Sequence, residues 1–298
     1  MRRLRGVAHE ILDAVLATVL RGGWGATVSQ RIGLQGGIRL HELTLSVRRP
    51  PGSPPLCVGF ASDFHAGPAT HPKQITLACE RLSQAHPDVV LLGGDFVSLS
   101  TGALENVCAA LGSIPAPLGR FAVLGNHDYR RKRATAIAGA LEHNGIRVLR
   151  NANVRLGPPH DDVWICGLDD VELGTPDACA TFRGADGTRL LLMHGPDGVL
   201  ELHDHRFDIA FCGHTHGGQV SLPWGTPIIV PGGALDRRYN HGIFHLRPDG
   251  EGGHLLVSRG VGCSAIPVRL FAWPEVHAVS VQGLLGHASS RHSKGEHR

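Results

Sequence analysis

LCVGFASDFH (residues 56–65), DVVLLGGDF (88–96) and RFAVLGNHD (120–128) carry the fold in their repetition. Each is a short apolar run, rich in Val, Leu and Phe, that stops abruptly at Asp, Asn or His. Continuous apolar runs of this length suit strands buried on both faces. Asp63 and Asp95 stand 32 residues apart, and Asp95 and Asn126 stand 31 apart, about one strand–helix–strand unit each. The intervening stretches 73–86, 103–112 and 131–144 read as helices. Two later runs, RLLLMHG (189–195) and DIAFCGHTHGG (208–218), end in the same way. The alternation predicts an α/β fold with mainly parallel strands.

Beyond about residue 145 the helical patterns thin out. VRLG, DDVWICG, HLLVSRG and HAVSVQ read as strands between Gly and Pro, which predicts a second sheet packed on the first within one domain. In open α/β sheets ligands bind beyond the carboxyl ends of the strands. Those ends carry Asp63, His65, Asp95, Asn126, His127, His194, His214 and His216. So many ionisable groups at the tips of dry strands need something to bind. Imidazole and carboxylate together suit borderline divalent ions such as Zn, Fe or Mn. About seven donors exceed one tetrahedral ion and suit two ions sharing a carboxylate.

The motifs Asp63-Phe64-His65, Gly94-Asp95, Gly125-Asn126-His127-Asp128, His194 and Gly213-His214-Thr215-His216 resemble those of the calcineurin-like metallophosphoesterase superfamily. GHTHGGQ (213–219) and SRGVGCSAIPVRLFAWPEV (258–276) are similar to its bacterial branch of YkuE- and YaeI-type phosphodiesterases. The resemblance covers about residues 55–283. It implies an α/β fold built as a two-sheet β-sandwich flanked by helices. It also implies two divalent metal ions (Mn, Fe or Zn), one held by Asp63, His65 and His216, the other by Asn126, His194 and His214, with Asp95 bridging them. Two ions ~3.5–4 Å apart can clamp a phosphate and generate a hydroxide that attacks phosphorus. His127 is then a catalytic group off the metals, stabilising transition-state charge or protonating the leaving oxygen. One position departs: the family often has an Asp three residues after the bridging Asp, to orient that His, and here it is Ser98. Asp128 or another group takes over, or His127 is less well tuned.

Residues 1–50 read as an amphipathic helix and lead-in, 51–283 as the catalytic domain, and 284–298, with its HASSRHSKGEHR, as a solvated tail. Leu4, Ala8, Ile11, Val15 and Val19 fall at helical spacing, with Arg2, Arg3, Arg5 and Arg21 flanking them. Such a stripe fits packing on the protein's own domain, or peripheral contact of residues 1–24 with an anionic membrane surface; a cleaved export signal fits less well, since no clear A-x-A-like site follows. No apolar run reaches the ~18 residues of a membrane span. The seven Cys are scattered, without C-x-x-C spacing, and read as free, buried thiols of a cytoplasmic protein.

With 42% hydrophobic and 18% charged residues the chain buries a core and is neither disordered nor fibrous. A net charge of +3 is too small to argue for nucleic acid, which disfavours a nuclease. The expected activity is hydrolysis of a phosphodiester or diphosphate. A lipid-linked UDP-sugar diphosphate at the membrane surface is the special case, and a non-catalytic, metal-containing interaction module the alternative of another class. Arg130–Arg133 reads as a solvated basic face or an anion-binding rim that Arg237 and Arg238 could join. His203-Asp204-His205 reads as an exposed turn, Trp164 and Trp273 as core. Asp169 and Asp170 follow a strand and belong either to a turn or to the site.

Overall fold

A computed structural model describes residues 12–246 and 253–284. The tail and the first eleven residues, including Arg2, Arg3, Arg5, Leu4, Ala8 and Ile11, lie outside them. The first sheet holds β1 (Arg39–Val47), β2 (Leu56–Ala61), β3 (Val89–Leu92), β4 (Arg120–Ala122), β5 (Arg147–Val148) and β12 (Glu275–Gly283), in the spatial order β1-β12-β2-β3-β4-β5. The second holds β6 (Ala152–Arg155), β7 (Val163–Gly167), β8 (Thr188–Leu192), β9 (Ile209–Cys212), β10 (Gly242–His245) and β11 (His254–Val257), in the order β10-β11-β9-β8-β7-β6. β2 to β5 are mutually parallel, as are β7, β8, β9 and β11. The antiparallel strands β6 and β10 close the edges of the second sheet.

The two sheets face each other across one apolar layer. Val58, Phe60, Leu91 and Val123 of the first meet Ile165, Leu190, Ile209 and Phe211 of the second. The outer face of the first sheet is covered by α3 (Pro72–Gln84), α4 (Leu104–Gly112) and α6 (Ala134–His143), through Ala78, Leu82, Val107, Leu111, Ile137 and Leu141. The second sheet is covered by the short helix α7 (Ala178–Thr181) and the 3₁₀ turn Pro196–Glu201. Burial on both sides explains why β3 and β9 read as unbroken apolar runs. The helices start and stop close to expectation. α3 begins with Pro72 at its first position, where a missing N–H costs nothing, and the His71 ring caps it by accepting from the Lys73 N–H.

One expected strand changes sheets. HAVSVQ was assigned to the second sheet, but β12 pairs antiparallel with β2 and parallel with β1 in the first. Apolar alternation reports a buried strand without saying which neighbours it takes. The N-terminal segment supplies α1 (residues 12–19) and α2 (Trp24–Arg31). Leu16, Ala17 and Leu20 pack on Ala69, Leu99 and Cys263, while Leu12, Val15, Val19, Trp24, Val28 and Ile32 stay exposed. All seven Cys are free; Cys179 is exposed and Cys57 half-buried, against the expectation that all are buried. His203 and Asp204 are exposed in a turn. Trp164 is only half-buried, against a core with Val199 and Phe244.

Candidate metal centre

The carboxyl ends of β2, β3 and β4 meet those of β8 and β9 along one rim of the sandwich. Asp63 N–H donates to Gly94 O (2.9 Å), His65 N–H to Asp95 O (2.9 Å) and Gly213 N–H to His194 O (2.8 Å). These bonds lace neighbouring loops within each sheet, and the His214 N–H, donating to Asp63 Oδ1 at 3.1 Å, ties the loops of one sheet to those of the other. Asp63, His65, Asp95, His214 and His216 all hold positive φ, between 43° and 71°. Left-handed backbone is uncommon outside glycine, and its concentration here marks a strained, over-determined site. Two glycines make room for it. A Cβ on Gly125 would stand 2.3 Å from Asp95 Oδ1, and one on Gly213 would stand 2.0 Å from Asp63 Oδ2.

Seven donors converge in two groups that share one atom. His65 Nε2 lies 3.0 Å from His216 Nε2 and 3.4 Å from Asp95 Oδ2; His216 Nε2 lies 3.5 Å from Asp63 Oδ1. In the second group His194 Nε2 lies 3.4 Å from the same Asp95 Oδ2, 3.2 Å from Asn126 Oδ1 and 3.1 Å from His214 Nδ1. Donors bound at ~2.0–2.2 Å to one ion stand roughly 2.8–3.6 Å from one another. Every separation falls in that range, so the residues fit a divalent cation in each group.

His194 adds a chemical argument. Its Nδ1 donates to Gly93 O at 2.8 Å, which leaves the Nε2 lone pair of the neutral ring facing two fixed acceptors, Asp95 Oδ2 and Asn126 Oδ1. A second proton or a cation there relieves that repulsion. Burial disfavours charge on His194, yet Asp95, Asp63 and Asp170 outweigh it and carry the imidazole well above its usual range. Burial likewise opposes charge on Asp95, but His194 and His127 hold its carboxyl well below the usual range. In the other group burial, helped by the His216 and His194 imidazoles, takes His65 down to about 3, and burial together with the Arg269 guanidinium lowers His216. Both rings are neutral at pH 7, the form a metal takes. His65 Nδ1 is buried without a hydrogen-bond partner.

His127 joins this rim. Its backbone N–H donates to Asp95 Oδ1 (2.9 Å), and its ring stands edge-on to His65 with centroids 4.8 Å apart. Burial, then His65 and Arg130, push its imidazole down to about 3. Asp128 faces inward and accepts from the N–H groups of Asp95, Phe96 and Gly125 at 2.8, 2.9 and 3.0 Å. It braces the loops without touching the His127 ring. Burial and the neighbouring Asp95 raise its carboxyl to about 8.

Of the two acids after β7, Asp170 approaches the site and Asp169 stays in the turn. Asp170 lines a cleft with Glu172, His194, Asp197, His214 and Asp236, and Asp169 accepts from the Tyr129 hydroxyl. Four further side chains stand against the motif residues: Glu172 and Asp236 belong to no motif, while Arg269 lies in the stretch 258–276 and Arg130 in the basic run. Glu172 accepts from Asn126 Nδ2 (2.6 Å), Asp236 Oδ2 lies 3.6 Å from His214 Nε2, and Arg269 Nη2 lies 3.0 Å from His216 Nδ1. The fourth, Arg130, belongs to the basic run yet turns inward to Asp13 and His127. Arg131 and Lys132 are exposed. Arg237 and Arg238 are exposed as well, Arg238 over the Tyr239 ring.

Residues 56–246 match a calcineurin-like phosphoesterase superfamily domain. The uncharacterized metallophosphoesterase YkuE of Bacillus subtilis is 30% identical over 200 residues, 65% of this chain and 68% of that protein. An uncharacterized metallophosphoesterase of Aquifex aeolicus is 29% identical over 83% of this chain and 92% of its own length. The phosphodiesterase YaeI of Escherichia coli is 33% identical over 231 residues, 74% of this chain and 80% of that protein.

Proposed function

The chain belongs to the calcineurin-like phosphoesterase superfamily, and from that premise we propose that it is a phosphodiesterase whose centre holds two divalent cations. One observation carries the proposal: Asp95 Oδ2 lies 3.4 Å from both His65 Nε2 and His194 Nε2, as a bridging carboxylate requires. Asp63, His65 and His216 would hold one ion, and Asn126, His194 and His214 the other. The mixed nitrogen and oxygen donors suit Mn, Fe or Zn. When bound, the pair polarises the phosphoryl oxygens and activates water for in-line attack. The chain's own residues do the rest. Asp95 fixes the spacing of the two halves and holds the His127 backbone N–H, so the His127 ring stands beside the reacting group. From there the imidazole donates to a phosphoryl or leaving oxygen, a contribution typically about 10²–10⁴-fold. The name of YaeI favours a diester over a monoester, and diphosphates offer the same phosphoryl oxygens. Seven free thiols suit a reducing, cytoplasmic setting.

The test is hydrolysis of bis-p-nitrophenyl phosphate beside p-nitrophenyl phosphate by metal-stripped chain given Mn²⁺. Restored turnover that favours the diester is expected. Folded chain that takes up two ions per molecule and cleaves neither ester would overturn the diesterase proposal; chain that takes up none would overturn the centre.

A second reading places the enzyme on an anionic bilayer. The exposed apolar side chains of α1 and α2 are joined by Trp24, whose indole N–H donates to Val19 O at 2.8 Å, and exposed Arg21 and Arg31 lie alongside. The only acid of that segment among the described residues, Asp13, is already paired with Arg130. A lipid-linked diphosphate would then lie within reach. Co-flotation with phosphatidylglycerol vesicles, lost on Val15→Glu and Trp24→Glu, is expected; co-flotation unchanged by both substitutions would remove this reading. Among the described residues no helix is long and apolar enough to cross a membrane.

A further inference from the structure

The catalytic imidazole lacks the carboxylate that its family pattern places three residues after Asp95. Ser98 stands there, and its hydroxyl faces His65 O at 3.5 Å rather than His127. Asp128, the nearest substitute in sequence, uses both carboxylate oxygens on three backbone N–H groups. What stands at His127 Nδ1 is the Arg130 guanidinium, with Nη1 at 3.4 Å. The same Nη1 donates to Asp13 Oδ2 at 3.1 Å. Its two hydrogens therefore have two partners. Side-chain exposures of 20% for Arg130 and 15% for Asp13 place the pair at the rim of the site, mostly shielded from water, where an ion pair keeps more of its strength than on open surface.

We infer that Arg130, clamped by Asp13 of α1, is the positioning residue of His127, in place of the carboxylate found elsewhere; the inference rests on the proposed hydrolytic role of His127. The chemistry differs from that of a carboxylate. A carboxylate accepts, so it draws the imidazole proton to Nδ1 and leaves Nε2 bare until a second proton arrives. A guanidinium only donates. It makes Nδ1 the acceptor and places the single ring proton on Nε2. The neutral ring is then already a hydrogen-bond donor and needs no second proton to stabilise charge on a phosphoryl oxygen. The clamp also ties the ring to the N-terminal helix. Asp13 is 117 residues from Arg130 in the chain, so whatever shifts α1 shifts the guanidinium and then the imidazole.

The test uses the full chain carrying the cation that supports hydrolysis, with Arg130→Met, Arg130→Lys and Asp13→Asn, each also in a His127→Ala background. Arg130→Met, which has no donor, is expected to lower kcat on the order of 10-fold with KM and bound metal unchanged. Arg130→Lys, still a donor, recovers part of the loss, and Asp13→Asn loses less than Arg130→Met. In the His127→Ala background none of the three has a further effect. A raised KM with kcat intact would make Arg130 a substrate contact, and an additive loss without His127 would make it independent of the ring; either result overturns the inference. A second readout does not need turnover. Ring ¹⁵N shifts of His127 in the metal-free full chain should show Nδ1 bare and Nε2 protonated, with that preference lost in Arg130→Met. A parent ring protonated on Nδ1 overturns the inference even if the esters are cleaved. Should the parent cleave neither ester, the hydrolytic proposal fails while the ring shifts still read the Arg130 contact.

Discussion

The two halves of the centre share Asp95 but are braced by opposite charges. Asp63, His65 and His216 are fully or almost fully buried, and what stands behind them is a cation, Arg269, itself fully buried. His194 and His214 border a cleft, with Asn126 buried beside them, and behind the three stand carboxylates: Glu172 on Asn126, Asp236 beside His214, and Asp170 near His194. A fixed cation beside the first half opposes a second cation and holds the loops instead. Fixed anions beside the second half favour a cation and orient its donors. The first half is therefore built chiefly for rigidity and the second for affinity.

Substituting each brace should separate the two properties. Arg269 donates from Nε to Gly262 O (2.8 Å), from Nη1 to Ala272 O (3.0 Å) and from Nη2 to Arg259 O (2.8 Å). Arg269→Met leaves those buried carbonyls unpaired and strands Asp63 without its neighbouring cation. The expected loss is about 3–5 kcal/mol of folding stability, read by denaturant unfolding of the metal-free chain. Glu172→Gln keeps the shape and removes the charge. Metal affinity of the second half should fall by about 10–100-fold, read by competition with a chromogenic chelator, with unfolding unchanged. Equal effects of both substitutions on stability and on metal binding would erase the distinction between the halves.

The same contrast explains what could be read from the chain alone. Asp63, His65, Asp95, Asn126, His194, His214 and His216 each follow a buried apolar strand at a glycine-marked turn, so their convergence was legible from strand order and spacing. The two-sheet sandwich was legible for the same reason, except at β12, whose apolar alternation suits either sheet. The braces were not legible. Glu172 and Asp236 reach the site from loops with no periodicity, and Arg269, though inside the quoted stretch 258–276, had no role assigned there; only three-dimensional packing brings the three to their partners. Arg130 sits in a run of four cations that reads as a solvated face or an anion-binding rim, neither of which points to His127. A residue that acts through another leaves no spacing signature, because its position follows from the loop's path rather than from the strand's end.

The smallest expected effect is a proton count that differs between the halves. His65 and His216 are held neutral by burial, with Arg269 acting on His216 as well, so an ion entering the first half displaces no proton from them. His194 is different: Gly93 O takes its Nδ1–H, and the acids around it keep a second proton on Nε2 despite burial. An ion entering the second half must expel that proton. The sign follows from the direction of the shift. Because the folded-state value is raised, protonated His194 stabilises the metal-free chain fully below its unfolded pKa of ~6.5, and that stability fades as pH rises through the raised value. Metal affinity runs the other way and climbs about tenfold per pH unit over the same window. Calorimetric titration in buffers of different ionisation enthalpy should find about one proton released by the ion of the second half and none by the ion of the first. Release of equal numbers by both ions would mean that the two halves meet a cation in the same protonation state, and that the buried arginine behind one and the carboxylates behind the other do not divide their chemistry.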